Sequence, residues 1–238
     1  GTNGANGSNG STGTNGANGS NGTNGTNGTD GTNTDRPQKD PNDPKVQQIW
    51  QYLKTADHKA VRDLINNFDL FYASLPEQKA LMIKILLDGS TSGDDQTAIA
   101  SVVDMARQQG ESDKMMPELD RLLGGAGKGI ARMFEDLKKG PRQSVLQALF
   151  GDPPRGVSFN PSYYNGLVAA LDKKDIEYLC QTLGTTPGSD WLNRIPNTAK
   201  QGMMDKLKSW WPFSSGLKRL REAIAASMAT TAPSQPAN

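Results

Sequence analysis

Three clusters and one C-terminal face carry residue types and spacings from which chemistry could be built. Asp88 precedes the turn Gly89-Ser90-Thr91-Ser92-Gly93, and Asp94 and Asp95 follow it. Calcium takes six to eight hard oxygen ligands, so these three carboxylates with converging turn carbonyls could form a calcium loop. The same residues also fit a helix end, a short turn and a new helix capped by Asp94, where the helix dipole favours an acid. Gly124-Gly125-Ala126-Gly127-Lys128-Gly129 has the composition of a phosphate-cradling loop. That chemistry needs G-x-x-x-x-G-K-[ST] after a strand, whereas here a leucine stands at the first glycine position, Gly129 replaces the hydroxyl residue, and a helix is expected to precede. A flexible hinge is expected instead of a nucleotide site. His58 and Cys180 are the only histidine and cysteine, too few for the common zinc sites or a disulfide framework. His58 follows the expected helix cap Asp57 and should lie at the surface. Cys180 belongs to the apolar series Ile176, Leu179, Cys180, Leu183 and should be core. No cofactor is expected.

The fourth group lies near the C-terminus. Ala199, Met203, Leu207, Trp210 and Trp211 fall on one helical face beside Lys200, Lys206 and Lys208. Pro212-Phe213-Ser214 breaks that helix, and Leu217, Leu220 and Ile224 begin another beside Lys218, Arg219 and Arg221. Paired tryptophans among cations suit contact with a protein partner or an anionic membrane surface. They suit equally a final helix that docks its tryptophans into the core.

The elements that must position these residues read as helices throughout. Asp43 can cap a helix that Pro44 opens, with Val46, Ile49, Trp50 and Leu53 at helical spacing. Asp57 begins a second helix carrying Val61, Leu64, Ile65 and Phe68 on one face. Ser74-Leu75-Pro76-Glu77 resembles a capping box that opens a helix with Leu81, Ile85 and Leu86. Further helices carry Ile99 to Ala106, Leu119 to Leu123, Ile130 to Leu137, and Val145 to Leu149, the last opened by Pro141. Pro161 opens one with Tyr164, Leu167 and Val168, and Asp172 caps another through Leu183. Strand-like alternation is absent, so the fold class is all-α: an irregular bundle of short helices. An internal echo aligns Ile49-Leu53-Asp57-Val61-Leu64 with Tyr164-Val168-Asp172-Ile176-Leu179, which fits a duplicated helical hairpin or the shared grammar of amphipathic helices.

Residues 1–35 repeat (Thr/Ala/Ser)-Asn-Gly, with glycine at every third position from Gly1 to Gly31. Nothing there is more apolar than alanine, so this tail is expected to be a disordered spacer. Collagen would need abundant proline. The repeat contains Asn-Gly-Ser/Thr triplets that match the glycosylation acceptor pattern. Residues 36–44 form a proline-rich linker, 45–229 the helical domain with candidate divisions at 124–129 or 151–160, and 230–238 a polar tail. A start at Gly1 points to a fragment or a processed chain. The 26 basic and 25 acidic residues leave a formal net charge of +1, which argues against nucleic acid as a partner. No apolar run approaches the roughly 18 residues of a bilayer span, so an integral membrane protein is not expected.

Two resemblances give these features a direction. Ile85 to Ile99, within residues 76–105, resembles a helix–loop–helix pattern of bacterial exported proteins, some linked to contractile injection systems; more distantly it resembles the calcium loop of annexin repeats. Glu111-Ser112, Gly125-Ala126-Gly127 and Tyr164-Asn165-Gly166 together resemble elements of lytic transglycosylases. By that resemblance Glu111 would be a general acid that cleaves peptidoglycan, needing partial burial to hold its proton; otherwise it is a solvated carboxylate at a helix start. The expectation is a non-enzymatic bacterial protein, secreted or delivered outside the producing cell with a cytoplasmic location left open. It binds a protein or membrane surface, with the transglycosylase-like enzyme and a membrane-active effector as alternatives.

Overall fold

Helices this short have more ends than middles, and the way their ends are closed decides the architecture. The computed structural model describes residues 38–184, 190–208 and 215–230, without side chains at 208, 215–217 and 230. Helices α1 (Pro44–Leu53), α2 (His58–Asn66) and α3 (Phe68–Ala73) lead to α4 (Pro76–Leu86) and α5 (Gly93–Gln108). Then come α6 (Ser112–Leu122), α7 (Lys128–Asp136) and α8 (Lys139–Phe150), followed by α9 (Pro161–Ala170) and α10 (Lys173–Leu183). The last are α11 (Asp190–Arg194), α12 (Asn197–Lys208) and α13 (Ser215–Thr230). No strand occurs among the described residues, and the fold is an all-α bundle. Central α4 packs on α5 and α6, α5 on α8, α8 on α10, and α12 on α9 and α13. One apolar core runs continuously from Ile49 to Ile224, so neither the 124–129 loop nor the 151–160 loop divides it. The latter is pulled in by Gly110, whose φ of +66° turns the chain where a Cβ would stand 2.7 Å from Val157 Cγ2.

Aspartates and their relatives close the N-terminal ends, supplying acceptors for orphan N–H groups. Asp43 accepts from Lys45 N at 2.7 Å and Asn160 from Ser162 N at 2.9 Å, each just ahead of a helix-opening proline. Asp57 accepts from Ala60 N at 2.8 Å and Asp172 from Asp175 N at 2.9 Å. These two caps have almost the same backbone, φ −92°, ψ −178° and φ −93°, ψ 177°. The echo between the two segments therefore extends to how α2 and α10 begin, although α1 packs chiefly on α3 and α4 and α9 on α7 and α12.

Several caps differ from the sequence expectation. Asn67 ends α2 by donating its N–H to Asp63 O and Leu64 O, and also starts α3, where its side chain accepts from Leu70 N. The new helix turns Phe68 out of the buried series, and it is 64% exposed. Ser74 donates backwards to Phe71 O instead of capping α4; Leu75 is the N-cap, its N–H bonded to Gln78 Oε1. The buried stripe of α4 is Lys79, Met82, Ile83 and Leu86, with Leu81 and Ile85 at its margin. Ser92, not Asp94, caps α5, and Asp95 completes the capping box.

Several C-terminal ends are closed by side chains from other helices, most of them basic as the dipole favours, while α2, α5 and α6 end on backbone bonds. Arg132 donates to Leu87 O at the end of α4, and Arg142 to Phe134 O in the last turn of α7. Arg194 donates to Phe150 O and Gly151 O, both at 3.0 Å, ending α8. Trp191 Nε1 donates to Gly184 O at 2.8 Å beyond α10, and Lys200 to Ser227 O near the end of α13 at 3.1 Å. Cys180 is buried in the core as expected, and burial pushes its thiol up to about 12.

Two capping-box aspartates are also gripped by arginines. Arg142 donates to both oxygens of buried Asp175, at 2.7 and 2.5 Å. Arg62 donates to buried Asp95, which also accepts from Ser92 N and Ser92 Oγ. Burial pushes the Asp95 carboxyl up, but the bonds from Ser92, His58 and Arg62 outweigh it and hold it down at about 2. A depressed carboxylate contributes stability that is complete above its ordinary value of 3.8 and is lost as pH falls through about 2. Asp95→Ala removes cap and ion pairs together and should cost about 3 kcal/mol in denaturant melts at pH 7, with a much smaller difference at pH 2.

Candidate functional site

Lys79 lies on the apolar stripe of α4, three and four residues before Met82 and Ile83, so the helix carries its ammonium into the interior. Its side chain is fully buried and donates to Ser74 O, Gln109 Oε1 and Glu111 Oε2 at 2.6, 2.7 and 2.8 Å. Glu111 is the N-cap of α6, held by its own N–H on Ala106 O at 2.7 Å. It is 7% exposed, which overturns the solvated reading. Lys39 completes the group from the chain ahead of α1, donating to Ser74 O and Gln109 Oε1 and standing 3.0 Å from Glu111 Oε1. Burial drives Lys79 down to about 7; Glu111 opposes this and Lys39 adds to it.

This is the geometry of a counter-ion rather than a general acid. A catalytic carboxyl must face a cleft that admits the sugar, and both Glu111 oxygens instead face ammonium groups. A lysine near neutrality can serve as base or nucleophile, but the Lys79 amine spends three bonds on protein acceptors and is closed to solvent.

The other elements of the transglycosylase resemblance only partly converge. Ser112 is buried beside Tyr163, and Tyr164 is buried beside Arg194; burial raises both tyrosines. The glycine loop lies at the opposite end of α6, about 16 Å away by helix rise. There the Asp120 carboxylate accepts from Gly127 N at 2.8 Å and Gly129 N at 2.7 Å. Gly125 N and Lys128 N are bonded as well, to Asp120 O and Gly125 O, so most of the amides that a phosphate would need are taken, and the loop is a closed N-terminal cap for α7 rather than a free hinge.

The calcium reading of Asp88, Asp94 and Asp95 fails on the same ground. The Asp95 oxygens face Arg62 and His58, two basic groups where a cation would have to sit. No group of three or more metal-ligating side chains occurs among the described residues. His58 is drawn in from the surface: its Nδ1 lies 3.0 Å from Asp95 Oδ2 and its Nε2 2.8 Å from Asp88 O. It thereby joins α2 to the turn between α4 and α5.

At the C-terminal face the cations divide. Lys206 is not free for a partner, because it donates to Ala169 O at 2.7 Å and Leu171 O at 2.5 Å and so ends α9. Lys200 is buried. Lys218 and Arg219 are exposed, with Lys218 3.9 Å from Glu222, and Arg221 is half-buried. Ala199, Met203 and Leu207 join the core. Trp210, Trp211 and Phe213, and the Lys208 side chain, lie outside the described residues. No described helix is long and apolar enough to cross a membrane.

The surface presents two further features that sequence reasoning missed. A groove of about 480 Å³ runs between α5 and α8, but its charged residues Asp104 and Arg107 pair with each other at 2.9 Å. On the N-terminal helices, Tyr52, Phe68 and Tyr72 are 43%, 64% and 51% exposed, and the last two stack with centroids 5.7 Å apart. The i, i+4 spacing of Phe68 and Tyr72 was the available signal, hidden by reading Phe68 as a continuation of α2. Comparison with known protein families, curated proteins and solved structures finds no match to this chain.

Glu111→Gln leaves two ammonium groups around a neutral amide and should destabilise the fold by about 3 kcal/mol in urea titrations. The unaltered protein should release no soluble fragments from peptidoglycan. Release that Glu111→Gln abolishes without loss of stability would make Glu111 an acid catalyst after all.

Proposed function

We propose that this chain is a non-enzymatic bacterial protein, exported or delivered from the producing cell, that acts by binding a protein partner. The observation that carries the reading is the exposed aromatic pair of α3. Phe68 and Tyr72 are stacked and exposed, and Tyr52 is exposed on the neighbouring α1. Aromatic side chains supply large contact area at low entropic cost, and they are enriched at the centres of interfaces. The pattern in residues 76–105 supports an exported protein of the kind found with contractile injection systems, and the repeat tail suits a spacer.

Phe68→Ser with Tyr72→Ser tests this. Both side chains are mostly in water, so the double variant should melt within a few degrees of the parent. Its affinity for the protein captured by the parent from target-cell surface extracts should fall at least tenfold by calorimetry; equal affinity would sink the reading. Exposed Lys218 and Arg219 favour a second reading, contact with an anionic membrane. In that case Lys218→Glu with Arg219→Glu should reduce co-sedimentation with phosphatidylserine vesicles severalfold, while neutral vesicles bind neither form.

A further inference from the structure

Three helix ends gather oxygen acceptors around two ammonium groups, one buried and one at the rim. Ser74 and Gln109 are the C-caps of α3 and α5, and Glu111 is the N-cap of α6. Lys79 Nζ, fully buried, donates to Ser74 O, Gln109 Oε1 and Glu111 Oε2. Lys39 Nζ takes the outer side, 2.6 Å from Ser74 O, 2.6 Å from Gln109 Oε1 and 3.0 Å from Glu111 Oε1. Carbonyl and amide oxygens have two lone pairs each, so two ammonium groups share them. Gln109 Nε2 donates to Tyr72 O at 2.9 Å and thereby aims its oxygen at the cations, and the Tyr72 ring centroid stands 6.0 Å from Lys39 Nζ.

The two cations are held on different terms. Lys79 is carried into the interior by α4, whereas Lys39 belongs to the non-helical segment ahead of α1 and its side chain is 14% exposed. Sharing two acceptors keeps the nitrogens no more than roughly 5 Å apart, where like charges repel. One carboxylate, Glu111, lies against both, so Lys39 is drawn by one charge and pushed by another at similar range. Its hold rests on the oxygens and the ring, and exchange for another cation leaves the local charge unchanged.

We propose that the outer half of this site recognises a lysine ammonium of a basic partner chain, and that Lys39 is a built-in stand-in that blocks the site until such a chain displaces it. Three oxygens around one nitrogen match the three donors of an ammonium. The incoming lysine meets the same oxygens and Tyr72, and its chain lies beside the stacked Phe68–Tyr72 pair, so apolar contact decides an exchange that is neutral in charge. The partner class rests on the binding function proposed above; the site itself does not.

NMR of the full chain with n-butylammonium chloride, the head and stem of a lysine side chain, tests the site against sodium chloride at equal ionic strength. A blocked site loses apparent affinity in proportion to its open fraction, so Lys39→Ala should bind this probe about tenfold more tightly than the parent, read from the Gln109 side-chain amide. Lys39→Arg, which keeps a cation on the segment, should bind it no better than the parent. Hexalysine added to the parent should move the backbone signals of residues 38–43 toward their positions in Lys39→Ala, and hexaglutamate should not. Equal probe affinity in the parent and Lys39→Ala would overturn the proposal. So would signals of residues 38–43 that ignore hexalysine at millimolar concentration, since Lys39 would then be a fixed anchor. Neither measurement contains the partner, so both are separate from the partner binding that Phe68→Ser with Tyr72→Ser tests.

Discussion

Every α-helix leaves four N–H groups unbonded at its start and four carbonyls unbonded at its end. In a bundle whose helices are mostly two or three turns long, those orphan groups rival the internal bonds in number, and many of them are buried. The rest of the structure depends on closing them. Asp43, Asp57, Asp120, Asn160 and Asp172 meet N–H groups at helix starts. Lys79, Arg132, Arg142, Arg194 and Lys206 meet carbonyls at or near helix ends. Each acid sits close in sequence to the helix it starts. Most of the basic groups come from elsewhere in the chain, so the helix ends themselves bind the bundle together.

This division explains which parts of the structure were legible in the sequence. N-caps are local: Asp57 and Asp172 could be named from a few neighbours, and the all-α class followed from apolar spacing and punctuation. The closing of helix ends is not local. Nothing near Lys206 signals that the carbonyls of Ala169 and Leu171 lie within its reach, so it read as a free surface cation. A partial signal existed for Lys79 and Lys200, because both stand on apolar stripes, with Met82 and Ile83 in one case and Met203 and Leu207 in the other. A charge in such a position must either snorkel or find partners, and only the fold shows which. Phe68 misled for a different reason, since Asn67 serves two helices and resets the phase between them. Glu111 was identifiable as unusual, but the lysines that give it a structural role come from segments far away in sequence.

The same economy shapes the candidate functional surface. A cation that ends a helix cannot also meet an anionic partner, and Lys200 and Lys206, two of the basic residues that suggested membrane or partner contact, are committed in this way. Among the described residues, the exposed large hydrophobic side chains all stand on the N-terminal helices: Tyr52, Phe68 and Tyr72, with polar and charged neighbours. Recognition through such a face rests on shape and apolar area, and should depend only weakly on ionic strength.

The lone thiol has a consequence of its own. Cys180 is 3% exposed, and burial among α10 core residues pushes it up to about 12. Thiolate, the species that attacks disulfides and peroxides, is therefore scarce at ordinary pH and sheltered where it forms. The folded chain should pass between reducing and oxidising surroundings without cross-linking, mixed disulfides or sulfenic acid. Its redox chemistry awaits an unfolding event, and that makes the thiol a built-in reporter of how often the core opens.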